Sequence, residues 1–344
     1  MNQIDRLRKL IDEPLLVTMP VNVFYLTGFR SSNAALLVEP ERALLFSDFR
    51  YAEAGRQVED VEFVEVERAL IRGVAAQVDG RLAFERSHLT YASWEMFRDA
   101  GLDLVPGGGQ VERLRAVKSQ DELDLIQRAT DITNQAYARL AEERFVGRTE
   151  RELAFRFAAY MHELGADGEA FPTTVASGPN GATPHAGTST RVVGKSETVV
   201  VDAGAVLEGY ASDCTRTFAT GPLPDELQRA YDVVLEAQLE GLDAVRPGVS
   251  GKDADAVARE VIADAGLGER FGHGLGHGVG LMVHEAPTLR PESQDTLEPN
   301  NVVTVEPGVY LPGVGGIRIE DLVVVREGEP VVLTSFTKKL VTVG

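Results

Sequence analysis

Residues 272–286 read G-H-G-L-G-H-G-V-G-L-M-V-H-E-A. Three of the chain's six histidines, His273, His277 and His284, fall within twelve residues there. A zinc-protease helix also sets two histidines four apart, but as H-E-x-x-H. Here glycines at 272, 274, 276, 278 and 280 argue against a helix. The spacing fails G-x-G-x-x-G as well, so a dinucleotide loop is not supported. An extended backbone that neighbours can approach closely lets alternate histidines converge on one ligand.

Four acids stand out because they sit in segments that otherwise read as buried strands. Asp202 interrupts V-V-V-D-A-G, and Asp213 lies on the strand expected to be its hairpin partner. Glu306 ends V-V-T-V-E-P-G, and Glu320 lies in G-I-R-I-E-D-L-V-V-V. In that last strand Arg318 and Glu320 share one face and Ile317 and Ile319 the other. A buried carboxylate is rare unless paired or metal-bound. Four carboxylates gathered together repel, and their pKa values rise until some are protonated. Two divalent cations supply the opposing charge, so charge balance favours a two-metal site. Oxygen-rich ligation with one imidazole, taken as His277, suits Mn²⁺ or Co²⁺, with Zn²⁺ less favoured. Cys214 adjoins Asp213, but strand neighbours point to opposite faces, so it is read as a small buried residue and not a ligand.

The elements that position these residues form a duplicated pattern. Ser119 with Glu122 is a capping box that opens a helix through Leu123, Ile126 and Ala129; Thr149 with Glu152 opens a second, ending at Gly165. The strands around Asp202 and Asp213 follow. The order then repeats: a helix from about 225 to 245, another opened by Ser250 and Asp253 and closed at Gly266, then strands at 302–305 and 317–325. G-R-T-E-R-E-L-A aligns with G-V-S-G-K-D-A-D at an offset of 101 residues. Such a repeat sets two strand pairs facing each other across a cleft.

Before it, short apolar runs at 15–19, 34–38, 43–46, 61–66 and 81–84 read as strands, with helical segments near 67–79 and 92–100. E-P-E-R between Val38 and Ala43 reads as a hairpin turn. The glycine run 107–109 lacks the Gly-Lys-Ser/Thr of a phosphate loop and reads as a linker. The expected fold class is therefore α/β (α+β): a small mixed N-terminal domain, 1–110, and a duplicated C-terminal domain, 111–344.

Composition limits the partners. With 53 acidic against 34 basic residues, the net charge of -19 argues against nucleic acid and anionic membrane surfaces. The start is charged and amphipathic, unlike a secretory signal, and no apolar run approaches the ~20 residues of a membrane span. A single cysteine excludes an intrachain disulfide. The expected location is the cytoplasm.

H-G-L-G-H-G-V-G-L-x-x-H-E, V-E-P-G and I-E-D, preceded by D-A-G and S-D-C-T-R-T, together resemble the family of creatinase, prolidase, aminopeptidase P and methionine aminopeptidase. The N-terminal V-F-Y-L-T-G-F and S-D-F-R-Y look like the small domain of its Xaa-Pro branch. The resemblance implies a "pita-bread" catalytic domain and metal ligands at Asp202, Asp213, His277, Glu306 and Glu320, with Asp213 and Glu320 touching both metals. The full set counts against creatinase and against non-catalytic relatives. His185, in T-P-H-A-G, and His284 match the family's outer histidines near substrate. His273 matches the H-G-x-x-H form of the Xaa-Pro branch. A homodimer is implied by the family alone.

The implied chemistry is hydrolysis of an Xaa-Pro imide bond. Water shared by two metals loses a proton near neutral pH and attacks; His284 and His185 stabilise the oxyanion; Glu306 moves the proton to the leaving nitrogen. A dipeptidase must also read the free carboxylate of its substrate, for which an arginine fork is suited, and Arg318 and Arg50 are the candidates. Prolidase activity on dipeptides is the first reading and aminopeptidase P activity on longer peptides the second. A binding module that keeps a structural metal site is a third.

Overall fold

The computed structural model describes residues 2–344. Two compact units result, Met1–Arg115 and Ala116–Gly344. In the first, apolar runs form a mixed six-stranded sheet in the order Glu62–Glu65, Ala43–Ser47, Ala34–Val38, Leu15–Val17, Arg81–Glu85, Asp103–Gly107. The E-P-E-R turn joins an antiparallel hairpin whose register begins at Val38 opposite Ala43. Helices Leu70–Ala75 and Tyr91–Asp99 pack Val74 and Phe97 against Leu16, Leu37, Phe46 and Leu82. The glycine run is not a linker. Gly107 closes the last strand, where a Cβ would lie 2.9 Å from Phe84 O, and Gly109 turns at φ 65° into helix Gln110–Ala116. The helix Pro20–Thr27, unforeseen, opens on a proline and closes on Gly28 at φ 70°.

In the second unit both capping boxes are made. Ser119 opens Gln120–Ala141 and Thr149 opens Glu150–Glu163, each with reciprocal bonds to the glutamate three residues on. Helices Asp225–Ala244 and Gly251–Asp264 follow after the first strand pair. Each helix pair covers its own core. Tyr137, Phe157 and Met161 pack on Val199, Val201 and Phe218, while Val234, Ala258 and Ile262 pack on Val303, Val305 and Val323.

The duplication shows most clearly where each second helix begins. Thr149 bridges Val192, and Ser250 bridges Thr296. The Gly147 N–H donates to Val193 O at 3.0 Å, and the Gly248 N–H to Leu297 O at 2.8 Å, with φ 90° and 84°. The halves meet along their strands. Thr198–Ala203 pairs antiparallel with Cys214–Ala219, placing Thr215 opposite Asp202, and Val302–Val305 pairs with Asp321–Val324. The strand expected at 317–325 is broken at Ile319–Glu320, between Gly315–Arg318 and Asp321–Val324. Across the break the Glu320 N–H donates to Thr215 O at 3.1 Å, and Thr217 Oγ1 bonds the backbone of Arg318. Among the described residues no helix is long and apolar enough to cross a membrane.

Candidate active site

A cavity of about 690 Å³ in the second unit is lined by Asp202, Asp213, His277, Glu306 and Glu320, and by His185, His273 and His284. Its other walls include Phe171, Pro172, Pro184, Arg290, Tyr310 and Arg318. Asp202 lies in strand Thr198–Ala203, whereas Asp213, expected within the partner strand, falls just before Cys214–Ala219; Glu306 directly follows Val302–Val305, and Glu320 sits in the break before Asp321–Val324. Carboxylate oxygens of Asp202, Asp213 and Glu320 lie within 4.8 Å of one another. His277 Nε2 is 3.2 Å from Glu306 Oε1 and 3.8 Å from Asp213 Oδ2.

The residues present fit divalent cations. Asp202 Oδ1 and Glu320 Oε1 are buried without a hydrogen-bond donor, which is costly for a carboxylate unless a cation faces it. Burial, and then Glu320, Asp202 and Glu306, push the Asp213 carboxyl well above its usual range. Burial, then Glu306 and Asp202, do the same at Glu320, and burial raises Asp202 against the pull of Arg318. Glu306 goes the other way. Burial raises it, but the hydrogen bond and charge of His277 outweigh that and bring it to about 2.

Backbone contacts set the imidazoles. His277 Nδ1 is 3.2 Å from Gly278 O, an acceptor only, so Nδ1 carries a proton and Nε2 faces the carboxylates. Gly276 and Gly278 flank it because other strands touch them: a Cβ would lie 2.0 Å from Thr304 O at one and 2.3 Å from Ala286 O at the other. His273 Nδ1 likewise donates to Gly274 O at 2.8 Å, leaving Nε2 to accept from the Tyr310 hydroxyl at 2.9 Å. Burial lowers the His273 pKa. The His284 ring lies 4.2 Å from that of His277, and its pKa is lowered by burial and then by His277.

The arginine candidates are both engaged. Arg318 is buried; its Nη2 donates to Asp202 Oδ2 at 2.6 Å and its Nε to Thr215 Oγ1 at 3.0 Å. Its Nη1 donates to the Tyr310 hydroxyl at 3.1 Å and to Pro184 O at 3.3 Å. Arg50 lies in the first unit with its fork on Asp48, at 2.8 Å from Nε and from Nη2. By contrast Arg290, exposed on the cavity wall, makes no side-chain hydrogen bond or ion pair with any described residue.

Sequence reasoning missed Arg290, Tyr310, Thr215 and Thr304. Thr215 Oγ1 donates to Glu320 Oε2 at 2.7 Å; Thr304 Oγ1 donates to Glu306 Oε1 at 3.1 Å and accepts from the His277 N–H. Their signal was spacing: each threonine lies two residues from one of the acids, Thr215 from Asp213 and Thr304 from Glu306. Cys214 is buried away from the cavity, its Sγ 3.8 Å from Glu320 O.

Residues 124–327 match Metallopeptidase family M24, and residues 4–117 match the Creatinase/Prolidase N-terminal domain. The chain belongs to metallopeptidase family M24. This M24 chain is 33% identical to an Xaa-Pro dipeptidase from Pyrococcus furiosus, over 98% of its own length and 99% of that protein. It also superposes on the structure of an Xaa-Pro dipeptidase from Bacillus anthracis, with TM-score 0.94 and 37% identity over 98% of each chain. An X-Pro aminopeptidase from Thermotoga maritima matches with TM-score 0.90 and 35% identity, over 98% of this chain and 100% of that one. The M24 assignment agrees with a metal-dependent hydrolase and with the two-part fold read from the sequence. Its relatives carry both dipeptidase and aminopeptidase names.

Proposed function

We propose that the protein hydrolyses the imide bond before proline, with Xaa-Pro dipeptides as its main substrates, using two divalent cations. The observation that carries this reading is the convergence of Asp202, Asp213 and Glu320, with donor-free oxygens, on His277 and Glu306. Asp202, Asp213, His277, Glu306 and Glu320 would hold the cations. Bound there, the cations supply Lewis acidity for the scissile carbonyl and lower the pKa of a water for attack.

The chain's own residues do the rest. His284 and His185 face the cavity and donate hydrogen bonds to the oxyanion as it develops. Glu306 accepts the proton of the attacking water and passes it to the prolyl nitrogen. That nitrogen carries no hydrogen in a tertiary amide, so it leaves only once protonated. Arg318 is assigned to orienting Asp202 and Tyr310, and Tyr310 in turn fixes His273 on the substrate side. Phe171, Pro172 and Pro184 offer an apolar wall to a pyrrolidine ring.

Dipeptide preference rests on Arg290. An unpaired guanidinium on the cavity wall suits the free carboxylate one residue past the cut, a role that neither Arg318 nor Arg50 is free to take. A homodimer in the cytoplasm, and Mn²⁺ or Co²⁺ ahead of Zn²⁺, belong to the same reading. The test is kcat/KM on Ala-Pro and Ala-Pro-Ala with Mn²⁺ added. Faster cleavage of Ala-Pro is expected. A reversed preference makes the enzyme an aminopeptidase P, and cleavage of neither removes the reading.

A further inference from the structure

Glu150 is fully buried at the first position of helix Glu150–Glu163, yet it plays no part in capping that helix. Thr149 and Glu152 already make the reciprocal cap. Its carboxylate instead collects donors from both ends of the segment 177–189. Ser177 contributes its N–H and its hydroxyl, each at 2.7 Å, to Oε1. Ser189 contributes its N–H at 3.0 Å and its hydroxyl at 2.6 Å to Oε2, and Asn180 Nδ2 reaches both oxygens. Arg191, the nearby cation, turns its fork to Glu197 and Ser177.

The other half of the duplicated fold has no such carboxylate. Gly251 holds the corresponding place in the second half, one residue past Ser250 as Glu150 is one past Thr149. There the chain packs directly, since a Cβ on Gly251 would lie 2.0 Å from Thr288 O. In the first half the gap is spanned by a carboxylate, and the loop it closes runs out to the cavity. Pro184, His185 and Ala186 at the loop's tip line that cavity, and Pro184 O accepts from Arg318. The exposed His185 ring makes no hydrogen bond to any described residue, so only the loop backbone places it. The Thr188 hydroxyl adds a stitch to Thr173 O and Val175 N at one end.

We propose that Glu150 is a positioning residue for peptide hydrolysis, clamping both ends of the loop 177–189 so that His185 is held over the reacting carbonyl. The proposal rests on the reading of His185 as an oxyanion-side group. A glutamine at 150 keeps the shape but turns an amide N–H₂ toward N–H and O–H donors, so at least one end of the loop loses its acceptor.

The experiment is a double-mutant cycle on Ala-Pro with Mn²⁺, comparing wild type, Glu150→Gln, His185→Ala and the double variant. Hydrogen exchange of peptides covering 178–190 and bound metal per chain are read alongside. Glu150→Gln is expected to lower kcat on the order of 10- to 100-fold, with KM within about twofold. Exchange should rise in that segment alone, metal content should be unchanged, and the double variant should be no slower than His185→Ala. Full kcat in Glu150→Gln, or losses that multiply in the double variant while His185→Ala is impaired, would overturn the clamp alone. Full kcat in His185→Ala would remove the reading of His185 and the clamp with it. If Glu150→Gln does not fold, Ser189→Ala removes one donor and leaves the carboxylate, and the same non-additivity is expected.

Discussion

At His277 the backbone chooses the tautomer. With Nδ1 committed to Gly278 O, the remaining nitrogen points at Asp213 and Glu306, the orientation a metal ligand needs. Thr304 then ties the His277 N–H to Glu306, so one hydroxyl aligns two of the proposed ligands. Thr304→Val keeps the shape and removes that tie. Metal affinity should fall roughly 10- to 100-fold, read as the Mn²⁺ concentration that half-restores activity to stripped protein; an unchanged value would mean Thr304 only fills space. Arg290→Ala tests the carboxylate reading. Losing a charge-assisted contact should lower kcat/KM on Ala-Pro about tenfold or more and leave Ala-Pro-Ala nearly unaffected, closing the gap between them. Equal losses on both peptides would assign Arg290 to some other task.

Among the elements, the strand Gly276–Gly278 is tightly constrained, because its neighbours' carbonyls occupy the space a side chain needs. Gly276→Ala should cost about 1–3 kcal/mol, seen as a fall in Tm, while Gly272→Ala, with nothing within 4 Å of its added Cβ, should be nearly silent. Equal effects would mean that the glycines serve flexibility rather than close approach. The spacing of these glycines was legible in the sequence as a sign of extended, close-packed backbone, and so were the capping boxes, the repeat and the four acids near apolar strands, of which only Asp202 lies within one. The acids were legible because a charge in a buried run needs a partner. Arg290 was not, since an exposed arginine after a strand has no signature until the cavity beside it is known. Helix Pro20–Thr27 was hidden because V-F-Y-L-T favours strand by type, and only its proline start and glycine stop mark it otherwise. The glycine run at 107–109 misled for a related reason: tight packing on Phe84 and a positive φ call for glycine as strongly as a linker does.

For the molecule as a whole, duplication explains why the site exists. Two similar halves each contribute two acids in or beside a strand pair, and their junction gathers all four around one cavity. Stability should therefore be linked to metal: stripping the cations should lower Tm, and Mn²⁺ should restore it in proportion to occupancy. The first half has its own acid-sensitive feature. Burial pushes Glu150 up, but hydrogen bonds from Ser189 and Ser177 outweigh it and hold the carboxyl below its ordinary value. The unfolded chain then binds the proton more readily, so this stabilisation is complete above about pH 4.3 and is lost as pH falls through the lowered value. The Tm advantage of wild type over Glu150→Gln should shrink between pH 6 and pH 3; a constant or growing advantage would contradict it. The most direct test of the two-cation peptidase is to strip the protein and follow Ala-Pro hydrolysis while Mn²⁺ is titrated in. Activity that is absent without metal and saturates at two equivalents per chain is the predicted result, and full turnover by demonstrably metal-free protein would contradict the account.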